Sequence, residues 1–185
     1  MARTHLKSPR FLEGDRLYLE PLSWKHRSNR YLQWLNDPVV CRDNSHAVFP
    51  YDQEEMERYL KYAASSRNEI IFAIIYKKKK RHVGNISLGH ISWTDRSADI
   101  AILIGEKAVW GKGIGREACG LVMDYGFGVL NLHRISIGTT ARNTSMVRIA
   151  ERLGMKREGR LRDALFKDGQ YLDLVKYARI NPVHR

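Results

Sequence analysis

The 185-residue chain predicts a single α/β (α+β) domain in which helices cover a mixed sheet. Strand and helix patterns alternate along the chain, and no repeat, proline-rich linker or low-complexity tract divides them. Hydrophobic residues make up 43% and charged residues 28%, which is the balance of a globular protein with one core. A glycine-rich segment at residues 110–118, between a strand pattern and a helix pattern, is the candidate ligand-binding feature.

The first elements are a strand and two helices. Residues 15–22 alternate in polarity and predict a strand. Ser23 is the predicted N-cap of a helix that runs to about Leu35. Asp52, with Glu55 three residues later, has the pattern of a capping box, and the apolar spacing that follows predicts a second helix.

Strand patterns occupy the middle of the chain. The β-branched and aromatic segment Ile70–Tyr76 predicts a strand buried on both faces. Residues 83–91 and Ser97–Ile104 predict two more strands. The basic run at residues 77–81 separates the first two of these, which favours a solvated hairpin tip over a nucleic-acid-binding patch.

The C-terminal part contains two helices and three further strand patterns. Residues 114–125 have apolar side chains at helical spacing, and Arg134–Thr140 predicts a strand. Residues 143–153 predict a helix that ends at Gly154. The Asp-Gly pair at residues 168–169, flanked by apolar residues, predicts a terminal hairpin.

The composition argues against a membrane protein, a disulfide-rich protein and a metal-binding protein, and the chain ends are expected to lie outside the domain. We expect a flexible arm over residues 1–13, one domain over residues 14–180 and a tail over residues 181–185. No apolar run reaches the roughly 20 residues of a membrane helix. Two cysteines, Cys41 and Cys119, are too few for a disulfide framework, so a cytoplasmic location is expected. Histidines and acidic residues show no metal-ligand spacing, and no metal site is expected.

The net charge is high. Thirty-two Lys and Arg against twenty Asp and Glu leave +12, which favours anionic partners. Nucleic acid and a phosphate-rich ligand both fit this charge, and the charge alone does not choose between them.

The glycine-rich segment has the features of a phosphate cradle. Gly111, Gly113 and Gly115 allow backbone N–H groups to approach a ligand with no Cβ in the way. The start of a helix adds N–H groups without intrahelical partners, and Lys112 and Arg116 add charge. A glycine-rich turn without a ligand is the alternative.

Two well-known phosphate motifs do not match this segment. A dinucleotide-binding fingerprint requires glycine where Arg116 stands. A P-loop requires a lysine and a hydroxyl residue after the second glycine, whereas Gly113 is followed by Ile114.

The segment resembles instead the pyrophosphate loop of the GNAT superfamily of N-acetyltransferases, Gln/Arg-x-x-Gly-x-Gly/Ala. Trp110 takes the first place, with Gly113 and Gly115 following, and this tryptophan is similar to a variant common in the RimJ/RimL ribosomal-protein N-acetyltransferases. The resemblance spans about residues 14–180, is strongest from Ala98 onward, and extends to the spermidine N-acetyltransferases. Further segments that carry it are residues 123–127, 130–134, 143, 153–155, 158–159 and 168–171.

This resemblance implies the GNAT fold, with helices on both faces of a mixed central sheet and a parallel strand pair that splays apart. The pair corresponds to residues 98–104 and Arg134–Thr140, and the pantetheine arm of acetyl-CoA is expected between them. The residues that the resemblance assigns to acetyl-CoA binding are Ile102, Leu103, Ile104, Trp110, Lys112, Gly113, Ile114, Gly115, Arg116 and Asn143.

The implied reaction is acetyl transfer to a primary amine by direct attack. Asp99 is the predicted base, since it matches an acidic position often seen in this strand; a solvated carboxylate is the alternative, and His90 and Glu20 are weaker candidates. Many members have a tyrosine acid where Ala150 stands here, and the RimJ/RimL group often has serine where Met146 stands. The candidate acids in their place are Tyr171, Tyr177 and water, and the alternative is a reaction without an acid.

The acceptor is left open. A protein N-terminus follows from the RimJ/RimL resemblance, and the alternatives are a nucleotide-linked amino sugar or a polyamine. The net +12 argues against a polycation. A non-catalytic acetyl-CoA-binding protein and a nucleic-acid-binding protein are the rival classes. The expected partners are acetyl-CoA, the amine acceptor and, as an open alternative, a second copy of the chain in a homodimer.

Overall fold

The structure, a computed structural model, describes residues 10–44 and 46–184. The predicted N-terminal arm, residues 1–13, lies largely outside this range. Its last two residues, Leu12–Glu13, pair with the next strand, so the folded part begins earlier than predicted. At the other end, the single turn Pro182–His184 lies in the predicted tail.

Eight strands form one sheet, and helices pack on it. The strands are β1 (Leu12–Glu13), β2 (Leu17–Pro21), β3 (Ile70–Tyr76), β4 (Arg81–Ser92), β5 (Ser97–Ile104), β6 (Arg134–Thr140), β7 (Lys156–Lys167) and β8 (Gln170–Ile180). The α-helices are α1 (Asn29–Asn36), α2 (Gln53–Ser65), α3 (Ile114–Gly128) and α4 (Thr144–Arg152). The strand order is β1-β2-β3-β4-β5-β6-β8-β7, and among the described strands only β5 and β6 pair in parallel.

Three strand predictions match the observed bounds residue for residue: β3, β5 and β6. All three are rich in β-branched residues, and each lies in the interior of the sheet with neighbours on both sides. The mixed α/β fold predicted from the alternating patterns is therefore confirmed.

The start of the first helix differs from the prediction. Ser23 precedes only a single turn, Trp24–His26, because Arg27 leaves the helical region with φ −58° and ψ 118°. Helix α1 starts five residues later, where Ser28 Oγ accepts the N–H of Tyr31 at 3.2 Å. The predicted cap of α2 is confirmed, because the Asp52 carboxylate accepts the N–H of Glu55 at 2.8 Å.

Both predicted hairpins are observed. The basic run forms a turn, Lys77–Lys79, between the antiparallel strands β3 and β4, and Lys80 follows in the left-handed region. Asp168 and Gly169 both have positive φ and join β7 to β8, as an Asp-Gly hairpin turn requires.

Buried side chains form two clusters, one on each face of the sheet. The larger cluster packs α3 and α4 against the sheet, with Val122 and Ala150 among its members. The smaller one packs α1 and α2 against the other face, with Trp34 and Leu60 among its members. Full burial of one such leucine contributes about 1.5–3 kcal/mol, so both layers are held by apolar contact. The predicted cover of helices on both faces is confirmed.

None of the described helices combines the length and the apolar character needed to cross a lipid bilayer.

Candidate active site

The parallel strands β5 and β6 separate after three residue pairs. The last pair is Asp99 with Ser136. Beyond it, β5 stays paired with β4 as far as Ile104, while β6 stays paired with β8 as far as Thr140. The two strands are thus held by different neighbours and diverge, which leaves a strand gap between 100–104 and 137–140. The splayed pair predicted from the family resemblance is confirmed.

The strand gap leaves one edge of β5 without a ladder partner in the described part of the chain. Ile102, Leu103 and Ile104 lie along this edge, where the sequence placed them. Backbone N–H and C=O groups need partners, and an extended ligand with its own amides can supply them as an additional strand would. The Ile104 carbonyl already accepts the indole N–H of Trp110 at 2.9 Å, which ties the glycine-rich segment to the end of β5.

The glycine-rich segment forms the turn that starts α3. Gly111 has φ 74° and Gly113, the N-cap, has φ 80°, a region that side chains with a Cβ rarely adopt. The N–H groups of Ile114, Gly115 and Arg116 are in the first helical turn and have no carbonyl one turn back. These N–H groups and the helix dipole favour an anion at this end of the helix. We call residues 111–116 the phosphate cradle.

Gly115 sets how close the phosphate cradle lies to the strand gap. A Cβ on Gly115 would lie 3.2 Å from Ile149 Cδ1 in α4 and 3.9 Å from Ile102 Cδ1 in β5. The absence of a side chain here lets the start of α3 pack directly on both elements. The cradle and the strand gap are therefore adjacent, as one ligand that carries both phosphate and amide groups would require.

Arg16 lies beside the phosphate cradle, a position that the sequence did not indicate. Its Nη1 lies 3.7 Å from the position that a Cβ on Gly113 would take. Glu117 in the first turn of α3 accepts the Arg16 backbone N–H at 2.8 Å and contacts its guanidinium at 3.4 Å. The side chain is half-exposed, so its charge adds to those of Lys112 and Arg116. The two residues that make this contact are 101 positions apart, and no sequence spacing could have shown it.

A cavity of about 170 Å³ lies on the face of the sheet that α1 and α2 cover. We call it the tyrosine-lined cavity. Its lining residues are Tyr31, Leu35, Asn44, His46, Tyr51, Tyr59, Ile71, Asn85, Ile86, Ser87, Ala101, Ile102 and Leu103. Since the last three belong to β5, the cavity reaches the same strand edge that borders the strand gap. The cavity is not evident from the sequence, because its walls come from six separate segments.

The tyrosine-lined cavity has a mixed lining of aliphatic and polar side chains, and its polar side chains are uncharged at neutral pH. Burial raises the pKa of Tyr31 and of Tyr59, so both phenols are neutral at physiological pH. Burial, and then the nearby Lys167 ammonium, lowers the pKa of His46 below its ordinary value of 6.5. Among the described lining residues there is no carboxylate.

A chain of buried polar side chains approaches the cavity from behind. His82 donates its Nε2 proton to Asn85 Oδ1 at 2.8 Å. Asn85 and Tyr31 both line the cavity, and the Asn85 amide opposes the effect of burial on the pKa of Tyr31. The His82 ring packs edge-on against His26 at 5.1 Å. Glu20, a weaker candidate base, accepts His26 Nε2 at 2.8 Å and the Lys25 ammonium at 2.7 Å, so it serves this internal network.

Asp99, the predicted base, lies where β5 and β6 part. One carboxylate oxygen accepts the hydroxyl of Ser136, and the other lies 3.3 Å from His90 Nδ1. Asp99 is two residues before Ala101 on the same face of β5, and it is not among the lining residues of the tyrosine-lined cavity. Its role as the base stays a prediction.

The other predicted catalytic and binding side chains are placed as follows. Tyr171 is 68% exposed on the terminal hairpin, with its ring 5.0 Å from that of Phe166. Tyr177 and Ala150 are buried in the larger core cluster. The Asn143 amide oxygen accepts the Met146 N–H at 3.1 Å, which confirms the predicted N-cap of α4. The catalytic role of Tyr171 and the binding of the cofactor by Asn143 stay predictions.

Lys167 fastens the loop that forms one wall of the cavity. Its ammonium donates to the carbonyls of Cys41 and Asn44, each at 2.6 Å, and to that of His46 at 2.8 Å. All three donors of the ammonium are thus used by one loop. The terminal hairpin, which carries Lys167, therefore takes part in shaping the tyrosine-lined cavity.

Within the described residues, no group of three or more His, Cys, Asp or Glu side chains is arranged to hold a metal ion.

Known proteins share this architecture and sequence pattern. A spermidine N(1)-acetyltransferase of Vibrio cholerae is 31% identical over 103 residues, 56% of this chain and 59% of that protein. YdaF of Bacillus subtilis, provisionally named a ribosomal N-acetyltransferase, is 37% identical over 95 residues, 51% of each chain. The chain thus spans about half to three fifths of the length of these two relatives.

The fold comparison covers more of the chain. The solved structure of spermidine/spermine N-acetyltransferase SpeG from Vibrio cholerae superposes with a TM-score of 0.75 at 26% identity, over 91% of this chain and 95% of that one. Residues 16–156 match the family described as the acetyltransferase (GNAT) domain, and this range contains the phosphate cradle and both strands of the gap. The chain belongs to the GNAT acetyltransferase family.

Proposed function

We propose that this protein is an acetyl-CoA-dependent N-acetyltransferase whose acceptor is the free amino terminus of a peptide or protein. Acetyl-CoA is the acetyl donor of the GNAT family. The observation that carries the proposal is the position of β5, which borders the strand gap along one edge and the tyrosine-lined cavity on one face. A donor in the gap and an amine in the cavity would meet at Ala101–Leu103.

The residues around the gap fit the donor. The N–H groups of the phosphate cradle, with Arg16, Lys112 and Arg116, would hold the pyrophosphate. The free edge of β5 would pair with the pantetheine amides. Bound in this way, acetyl-CoA supplies a reactive thioester. A backbone N–H of β5 is the nearest preorganised donor for the oxyanion that forms when the amine adds.

The cavity fits an acceptor with one small amine-bearing end. Its volume of about 170 Å³ equals the space of about six water molecules in the liquid. Val48 and Phe49 lie in the sequence between the lining residues His46 and Tyr51, and they are 56% and 79% exposed. Exposed apolar side chains here suit an acceptor whose remaining part extends out of the cavity. We therefore expect a small first residue in the cavity and the rest of the peptide outside it.

The protonation of the acceptor supports an amino terminus over a lysine side chain. An α-amino group has a pKa of about 8, so roughly a tenth of it is neutral at pH 7. A lysine amine, with a pKa of about 10.4, is neutral in only about 0.04% of molecules. A cavity without a carboxylate among its described lining residues is better matched to the amine that loses its proton more readily.

A polyamine fits less well, although two of the relatives named above are spermidine acetyltransferases. Spermidine carries several positive charges, and its recognition calls for carboxylates. The described lining of the cavity contains none, and the chain has a net charge of +12.

The test is thiol release from acetyl-CoA with a panel of pentapeptides that carry each of the twenty amino acids at the first position. We expect release with free amino termini, fastest for glycine, alanine or serine, and none with the same peptides blocked at the N-terminus. Spermidine is the competing acceptor, and a higher kcat/KM for spermidine would replace the peptide proposal with a polyamine one. Acetyl-CoA binding without thiol release on any acceptor would contradict the catalytic proposal.

A further inference from the structure

We propose that His46 is the general base that takes the proton of the acceptor amine. This inference rests on the function proposed above and assigns a role to a residue that neither the sequence pattern nor the family comparison indicated.

The His46 side chain lines the tyrosine-lined cavity together with Ala101 and Leu103 of β5. The acceptor amine must therefore enter a space that the imidazole borders. The ring stands edge-on to Tyr51, with 5.4 Å between the ring centroids and 78° between the planes. This contact restricts the rotation of the imidazole, so that it is held against the cavity.

The backbone of His46 is fixed at both of its polar groups. Its N–H donates to Asn44 Oδ1 at 2.8 Å, and its carbonyl accepts the Lys167 ammonium at 2.8 Å. The same loop is tied to β6 and to the turn after it, because Asp43 accepts the Thr140 hydroxyl at 2.7 Å and Arg142 Nε at 2.9 Å. A loop fastened in this way can keep a catalytic group in place.

The titratable and charged groups that face His46 favour its neutral form. Burial lowers the pKa of the imidazole below 6.5, and the Lys167 ammonium from β7 lowers it further. The other titratable lining groups are the phenols of Tyr31 in α1, Tyr59 in α2 and Tyr51 before α2. Asp43, the nearest acid of the loop, is paired with Arg142. At neutral pH the imidazole is therefore unprotonated and able to accept a proton.

The tyrosines are poor alternatives for this step. Their hydroxyls carry protons throughout the physiological range, since burial raises the pKa of each of the three. Among the described lining residues, His46 is then the one side chain that can exchange a proton near neutral pH.

The step balances with His46 as the acceptor of one proton. The amino terminus reacts as the neutral amine. Its nitrogen bonds to the acetyl carbonyl carbon while His46 accepts one of the two nitrogen protons, and the C–S bond then breaks. The imidazolium gives its proton to the departing thiolate, so the products are the acetamide and the free thiol.

The test compares His46→Gln with His133→Gln, a histidine on the surface outside the cavity lining. The wild-type plot of log kcat/KM against pH should fall with a slope of one below about pH 8, where the peptide amine is protonated. It should steepen to a slope of two below the pKa of His46. In His46→Gln we expect kcat/KM to fall at least about 100-fold and the second slope to disappear, with acetyl-CoA affinity by calorimetry within twofold of wild type. His133→Gln should match wild type in all three measurements.

A separate readout is the NMR titration of the His46 ring in the wild-type protein. Its pKa should equal the pH at which the slope of the kinetic plot changes from one to two. An active wild type whose second slope persists in His46→Gln, or whose His46 titrates at a different pH, overturns the assignment and leaves the proposed function intact. A wild type that acetylates no peptide overturns both.

Discussion

Asp99 is the last residue of β5 that pairs with β6, and its carboxylate accepts the hydroxyl of its partner in that pair, Ser136. A side-chain bridge thus lies across the final rung of the ladder, at the point where the strands diverge. Because the strand gap starts at this rung, the bridge fixes where the gap opens. The geometry favours a positioning role for Asp99 at the branch of the two strands.

We expect Asp99→Asn to lower kcat/KM by less than about tenfold and to leave the two slopes of the pH profile in place. Asparagine keeps an acceptor for Ser136, whereas loss of a general base costs about 100- to 10,000-fold. Ser136→Ala removes the same bridge and should have a similar effect. Loss of the low-pH slope in Asp99→Asn alone would instead support the sequence-based prediction that Asp99 is the base.

The phosphate cradle can be tested by Gly113→Asp. The change places a Cβ at φ 80° and a negative charge beside the N–H groups that would hold a pyrophosphate. Gly154→Asp is the matched control. Gly154 follows α4 with a similar φ of 72°, and a Cβ there would meet no other atom within 4 Å. By calorimetry we expect at least tenfold weaker acetyl-CoA binding for Gly113→Asp and unchanged binding for Gly154→Asp. Equal affinities for the two variants would remove the cradle from the binding site.

Arg16→Gln tests the cationic side chain beside the cradle. The guanidinium is half-exposed, so its attraction for a phosphate is screened by salt. We expect acetyl-CoA affinity to fall about three- to tenfold at low ionic strength and less at 0.5 M salt. Arg58→Gln removes an exposed charge from α2 and should leave the affinity unchanged. A loss that does not depend on salt would point to a folding defect.

Lys167→Met should act on the acceptor and spare the donor. Without the ammonium, three carbonyls of the loop lose their shared hydrogen-bond donor, and the wall of the tyrosine-lined cavity loosens. We expect the KM for the peptide to rise several-fold while acetyl-CoA affinity stays within twofold. Lys176→Met, an exposed lysine on β8, is the control and should change neither. A parallel loss of both affinities would mean that the hairpin supports the whole fold.

The strand edge and the cradle, which we assign to the donor, could be predicted from the sequence because they are local. The strand pattern of β5, the glycines of the cradle and the first turn of α3 follow one another within residues 97–116, so their order in the chain is also their order in space. Trp110, which the family resemblance assigns to the cofactor, donates its indole N–H to the carbonyl of Ile104, a contact that the sequence did not indicate. Its binding to the cofactor stays a prediction.

The tyrosine-lined cavity and the place of Arg16 beside the cradle could not be predicted, because long-range contacts assemble both. His46 is held by Lys167 across 121 positions, and Arg16 meets Glu117 across 101. Neither contact leaves a period or a motif in the sequence. The predicted start of α1 was wrong for a different reason. Ser23 and Ser28 are both favourable N-cap residues, and only the departure of Arg27 from helical geometry decides between them.

His82 should make the stability of the fold depend on pH. Burial lowers the pKa of His82 from 6.5 to about 4, so the unfolded chain binds a proton on this side chain that the folded chain excludes. The contribution of His82 to the free energy of unfolding is fully present above pH 6.5. It is lost as the pH drops from 6.5 to 4, and the total loss is on the order of 3 kcal/mol. Urea unfolding should show about 2 kcal/mol of this loss between pH 7 and pH 5.

His82→Gln isolates this contribution. Glutamine can still donate an N–H to Asn85 Oδ1, but it does not titrate. Between pH 7 and pH 5 the free energy of unfolding of this variant should therefore fall by about 2 kcal/mol less than that of wild type. His133→Gln should follow wild type. His26, whose pKa burial also lowers, is present in all three proteins. An identical pH dependence in wild type and His82→Gln would show that His82 can become protonated in the folded protein.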